Sequence, residues 1–185
     1  VEGRNLEPII TFFFEYSQVK QLYRQGWLKR NIPKEQCESV GDHLFSTAML
    51  SYIVAEQYFP ELDALKVMRL ALFHDIGEAF AGDIIPSDNI TSEEKRILED
   101  DAIQKIFSKF PNAEQYMALW REYEHRTSPE ATLVAQIDKL EMGLQALLYE
   151  QQGHNNLAEF FPYVQQRLSD PTLKKLFEDA LSLRS

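Results

Sequence analysis

The segment that most constrains this chain is residues 70–83, LALFHDIGEAFAGD, where an apolar run ends in His74 and Asp75 and is followed by Glu78 and Asp83. Successive side chains on a helix are ~100° apart. Two adjacent polar residues after Leu70, Ala71, Leu72 and Phe73 therefore cannot both turn away from a core. An imidazole and a carboxylate buried without partners cost several kcal/mol, and a divalent cation shared by the two is one solution.

The rest of the chain reads as helices. Residues 5–24 place Leu6, Ile9, Phe13, Tyr16 and Val19 at helical spacing, with Phe12–Phe14 expected in the core and Gly26 as the stop. Residues 27–38 are irregular, broken by Pro33. A helix starts near Ser39, carries Asp42 and His43 in its first turn, and runs to Tyr58 before Pro60. The next spans 61 or 62 to 76 and delivers His74 and Asp75 at its end. Residues 83–89 form a loop, and Thr91 with Glu94 is a capping-box pattern opening a helix to Phe110. Helices follow over 113–125, from Ser128 as N-cap with Pro129 at N1, over 157–168, and over 171–183 with Asp170 as N-cap. No strand-length alternation of Val, Ile and Thr and no internal repeat is present. The expected fold is an all-α orthogonal bundle in a single domain over 1–185.

Composition narrows the function. With 44% hydrophobic residues in 185, the chain can bury a real core. A net charge of −10 argues against nucleic acid as partner. No apolar run approaches the ~20 residues that span a bilayer, so no membrane role is expected. The single cysteine, Cys37, cannot form an internal disulfide. Together with the lack of a secretory leader pattern this leads to an expected cytoplasmic location and an inert loop thiol. His125 and His154 are expected at exposed helix ends or breaks.

Across these helices lie His43, then His74 with Asp75 after 31 residues, then Asp138, 63 residues beyond Asp75, beside the stripe Leu133, Val134, Ile137, Leu140. Two imidazoles and two carboxylates suit a divalent cation such as Mn, Co or Mg with open positions for water and substrate. Singly, each has another reading: His43 as a helix-end cap, Asp138 as the partner of Lys139 or Arg126. Glu78 stands four residues after His74, as a general base or as the acceptor orienting a ligating histidine.

The order H…HD…D resembles the HD-domain metal-dependent phosphohydrolase superfamily. Gly26-Trp27-Leu28, Glu38-Ser39-Val40-Gly41-Asp42-His43, His74-Asp75-Ile76-Gly77-Glu78, residues 82–90, Glu93-Glu94-Lys95 and Gln136-Ile137-Asp138-Lys139 are similar to its 5′-deoxynucleotidase branch. The similarity covers about 22–149, with the helices of 157–183 packing on that core. It implies a metal held by His43, His74, Asp75 and Asp138, and a second site at Glu78, Asp83 and the carbonyl of Ile84. It further implies Asp75 and Glu78 in catalysis and Trp27, Asp83 and Pro86 at the substrate, with Asp83 by the sugar. The relatives' phosphate-binding arginine is replaced by Gly26, so Arg30 or Lys29 is expected to serve instead.

The implied reaction is hydrolysis of deoxyribonucleoside 5′-monophosphates, by an enzyme expected to be a homodimer. A hydrolase of another phosphoester, such as a cyclic nucleotide, or a non-catalytic nucleotide-binding module is the alternative.

Overall fold

The computed structural model describes residues 7–85 and 88–184. Among these no strand occurs, only an isolated antiparallel bridge between Tyr23 and Ser39. The helices are α1 (Pro8–Tyr16), continued by a 3-10 turn (Ser17–Lys20), α2 (Gln25–Leu28), α3 (Val40–Tyr58), α4 (Ala64–Phe73), α5 (Glu78–Ala81), α6 (Ser92–Phe107), α7 (Ala113–His125), α8 (Pro129–Gln151), α9 (Phe160–Arg167) and α10 (Pro171–Leu181). No helix among the described residues is long and apolar enough to cross a membrane.

Local chemistry sets most of the helix starts. Ser39 caps α3 by accepting from Asp42 N while the Asp42 carboxylate accepts from Ser39 N (2.8 Å). Thr91 and Glu94 make the same reciprocal pair before α6. Ser128 and Asp170 cap α8 and α10 ahead of Pro129 and Pro171. Each such cap contributes about 1 kcal/mol by satisfying amides that the first turn leaves open.

Several expectations are corrected. The first described helix has Glu7 as N-cap and Pro8 at N1 and tightens to 3-10 geometry after Tyr16, whereas Asn5 and Leu6 lie outside the described residues. Gly26 is not a helix stop; it lies inside the short α2 and lacks the left-handed backbone of a C-terminal glycine. Of the three phenylalanines only Phe12 packs inward, against Phe107 and Phe110, while Phe13 and Phe14 are about half exposed. α4 ends at Phe73, so His74 and Asp75 occupy the turn beyond it. α6, α9 and α10 are shorter than expected, ending or starting two to three residues inside the read pattern.

α8 is the spine of the bundle. Its buried Leu133, Val134, Ile137, Leu140 and Leu147 pack against α3, α4, α9 and α10, each side chain contributing about 1.5–3 kcal/mol on leaving water. Gly143 lets Phe177 of α10 approach so closely that an added Cβ would lie 2.6 Å from the ring. A second cluster, Ile103, Ile106, Phe107 and Trp120, joins α6 to α7. Between the clusters the chain enters from the bridge segment, where Arg24 N donates to Glu38 O and Val40 N to Leu22 O. That pairing fixes Arg24 beside the turn that follows α4.

Candidate active site

The described residues enclose a cavity of about 850 Å³ whose walls include Arg24, Asp75, Glu78, Asp83, Lys95 and Asp138. The cap at Ser39 sets the first turn of α3, so His43 points inward and is completely buried. His74, at the end of α4, is 2% exposed. Asp138 follows the apolar stripe of α8 at 4% exposure.

These groups converge. His43 Nε2 lies 3.2 Å from His74 Nε2, 3.3 Å from Asp138 Oδ1 and 3.7 Å from Asp75 Oδ2, and His74 Nε2 lies 3.3 Å from that same Asp75 oxygen. The Nδ1 atom of each ring faces a group that accepts: Glu141 Oε2 for His43 (2.8 Å) and Ala71 O for His74 (2.7 Å). With the protons on Nδ1, two Nε2 lone pairs meet head to head, an arrangement that needs a positive charge between them. With bonds of ~2.0–2.2 Å, neighbouring ligands of a tetrahedral or octahedral cation are about 2.9–3.6 Å apart, which is the size of these separations. Asp138 Oδ2 is occupied by Lys139 Nζ (2.7 Å) and the Tyr123 hydroxyl (3.3 Å), which leaves Oδ1 for the cation. His43, His74 and Asp75 place their donor atoms within 4.8 Å of one another, a set that fits a divalent ion, and Asp138 Oδ1 stands beside it, 3.3 Å from His43 Nε2.

The electrostatics agree. Burial and the Arg24 charge oppose an imidazolium at His43, yet Glu141 and Asp138 outweigh them and raise its pKa to about 10. In the absence of a metal the carboxylates thus call a proton into the same place. Burial would raise Asp75, but His74, Arg24 and His43 hold it below the usual carboxylate range. Asp138 is likewise held low against its burial, by Lys139 and the two histidines.

Glu78 differs. It is 2% exposed, and burial with Asp75 and Asp83 pushes it well above 4.5 despite Arg24 and Lys95. Its Oε1 is 3.7 Å from Lys95 Nζ and its Oε2 3.9 Å from Arg24 Nη1, with no hydrogen bond to Oε2 among the described residues. Both histidine Nδ1 atoms already have acceptors, so Glu78 is not the group that orients them.

Arg24 is the basic residue that sequence reasoning missed. Its Nη1 lies 3.3 Å from Asp75 and 3.4 Å from Asp83, inside the ring of carboxylates. Asp83 also accepts from the backbone N–H of Gln25, and Gly82, at φ +85°, supplies the reversal out of α5 that brings it there. The bridge of Tyr23 to Ser39 and the Gln25 N–H bond to Asp83 place Arg24 in this ring, contacts with no signature in local sequence. Glu141 was missed as well, although it stands three residues after Asp138 and so on the same helical face, a spacing that could have pointed to it.

Of the remaining expected residues, Trp27, Arg30 and Ile84 line the cavity. Trp27 is 2% exposed and its Nε1–H donates to Glu38 (2.6 Å), so it offers the cavity its ring, not its N–H. Arg30 pairs with Glu159 (2.6 Å) and sits over the Phe160 ring, and Lys29 pairs with Asp88 (3.0 Å). Pro86 lies outside the described residues. Cys37 is buried against the carbonyls of Arg24 and Glu38, and burial lifts its pKa to about 11. His125 is exposed, but His154 is half-buried, its Nε2 2.7 Å from Gln36 Oε1.

A family model described as HD domain matches residues 16–178. The chain belongs to the HD domain family. This HD domain is 33% identical to the human protein named 5′-deoxynucleotidase HDDC2, over 99% of this chain and 89% of that one. It is 36% identical to the Dictyostelium discoideum protein of the same name, over 95% and 96%. A solved structure from Pyrococcus horikoshii matches with a TM-score of 0.77 at 31% identity, covering 94% of this HD domain and 96% of that chain.

Proposed function

We propose that this protein hydrolyses deoxyribonucleoside 5′-monophosphates to deoxynucleoside and phosphate, with one divalent cation held by His43, His74, Asp75 and Asp138. The observation that carries the reading is the meeting of His43 Nε2, His74 Nε2 and Asp75 Oδ2, with Asp138 Oδ1 3.3 Å from His43, behind a cavity that Asp75 and Asp138 line. The names of the eukaryotic relatives support the substrate class. The bound ion would acidify water and offset charge on the phosphoryl group.

The chain's own groups account for the rest. Glu78, whose proton affinity burial raises, takes the proton of the attacking water as the new P–O bond forms. The bond from phosphorus to the sugar's O5′ breaks, and the same carboxyl returns a proton to that oxygen. Arg24 and Lys95 face the equatorial phosphoryl oxygens, in the role expected of Arg30 or Lys29. Asp83, pinned by Arg24 and Gln25 N–H, stands where an added ribose hydroxyl would crowd it. Arg24 already fills the space between Asp75, Glu78 and Asp83, which favours one cation over two. Metal analysis giving two equivalents per chain would overturn that count.

A homodimer fits the surface: Phe45, Met49 and Ile53 form an exposed stripe at four-residue spacing on α3, and Ile9, Ile10, Phe13 and Phe14 are exposed on α1. Light scattering should give twice 21.6 kDa, and a monomer mass overturns it.

The activity is tested by phosphate release from deoxy- and ribonucleoside 5′-monophosphates with Mn²⁺, Co²⁺ or Mg²⁺. Turnover is expected with the deoxy series and not with Glu78→Gln. Metal bound with no monophosphate turned over would reject the reading and favour a binding module.

A further inference from the structure

Three features remain outside the reaction: the Glu38 and Glu141 carboxylates behind His43, Glu99 on α6, and the exposed stripe of α3. The first is the most tightly defined. Glu141 is 5% exposed, it sits one turn after Asp138 on α8, and its Oε2 is 2.8 Å from His43 Nδ1. The nearest other partner of that nitrogen, Thr47 Oγ1, is at 3.5 Å. Glu38, Glu141 and His43 each place an oxygen or ring nitrogen within 4.8 Å of one another. Glu38 in turn accepts from the indole of Trp27 in the cavity wall.

The two histidines are thus held by different kinds of acceptor. His74 uses the carbonyl of Ala71, which no side-chain substitution removes. His43 uses a charged side chain from the helix that also supplies Asp138. A carboxylate on Nδ1–H fixes the ring so that Nε2 carries the lone pair, and its charge strengthens that lone pair as a donor to a cation.

We infer that Glu141 is the positioning residue of the metal centre, fixing the tautomer and direction of His43. Asp138 and Glu141, three residues apart, then set one ligand directly and a second through its ring. This rests on the proposed metal site, but not on the reaction performed there.

The experiment measures Co²⁺ affinity and the visible Co²⁺ spectrum of the full chain for wild type, Glu141→Gln, Glu141→Leu and His43→Ala. Loss of such an orienting acceptor lowers metal affinity on the order of 10–100-fold. Glu141→Leu is expected to show that loss with an altered spectrum. Glu141→Gln, whose side-chain oxygen still accepts from Nδ1–H, should recover part of both. A thermal melt of each variant identifies unfolding, and Glu141→Gln keeps the test decisive where the leucine variant does not fold. Affinity and spectrum unchanged in folded Glu141→Leu, with binding lost in His43→Ala, overturn the inference while leaving the metal site intact. Cation binding lost in Glu141→Leu by a wild type that hydrolyses no nucleotide upholds the inference and rejects only the activity. No Co²⁺ binding by wild type overturns both.

Discussion

Replacing Arg24 with methionine tests the charge balance of the site most directly. The guanidinium lies 3.3–3.9 Å from Asp75, Glu78 and Asp83, and its side chain is 17% exposed. Those carboxylates outweigh the burial that opposes its charge. Removing one partner from a buried ionic network leaves the other charges uncompensated, at about 3–5 kcal/mol. For a chain of this length that corresponds to a fall in Tm of about 6–20 °C. The loss should be partly recoverable: a divalent cation contributes positive charge at Asp75, the carboxylate it shares with Arg24, and binds more tightly once the guanidinium is gone. Thermal melts with EDTA and with Mn²⁺ should therefore show a larger metal-dependent rise in Arg24→Met than in wild type. An unchanged Tm in EDTA, or equal rises in the two proteins, would show that Arg24 does not neutralise this site.

Other consequences follow from the same geometry. Burial lifts Glu38 and Glu99 to about 7. The folded protein therefore holds protons that unfolded carboxylates near 4.5 have released, and these groups favour folding least once the pH passes about 7. Denaturant titrations between those values should show stability falling as pH rises, with a shallower fall in Glu99→Gln; parallel slopes would refute it. Gly143→Ala places a methyl group 2.6 Å from the Phe177 ring, an overpacking cost of about 1–3 kcal/mol. A lower urea midpoint at unchanged m-value checks it. Cys37, buried and with its pKa raised to about 11, should react with Ellman's reagent only after denaturant is added.

The helix starts were legible because they depend on residues three apart: Ser39 with Asp42, Thr91 with Glu94, Ser128 and Asp170 ahead of prolines. The candidate ligands were legible for a similar reason, since polar residues on apolar helical faces must find partners. Phe13 and Phe14 misled because hydrophobicity does not say which side of a helix meets a neighbour. Arg24 was hidden because its partners lie 51 to 59 residues away, and its position depends on backbone pairing between segments distant in sequence. Arg30 has the right charge for a phosphate, yet Glu159, brought by a distant helix, already claims it.

The setting of Trp27 gives the protein a built-in optical probe. Of the two tryptophans, Trp120 is sealed in the cluster between α6 and α7, whereas Trp27 forms part of the cavity wall, its ring 4.4 Å from that of Phe160 and its N–H on a carboxylate. Any nucleotide entering there changes the polarity around that indole alone, so the emission of a Trp120→Phe variant would follow occupancy in real time, without label or coupled assay.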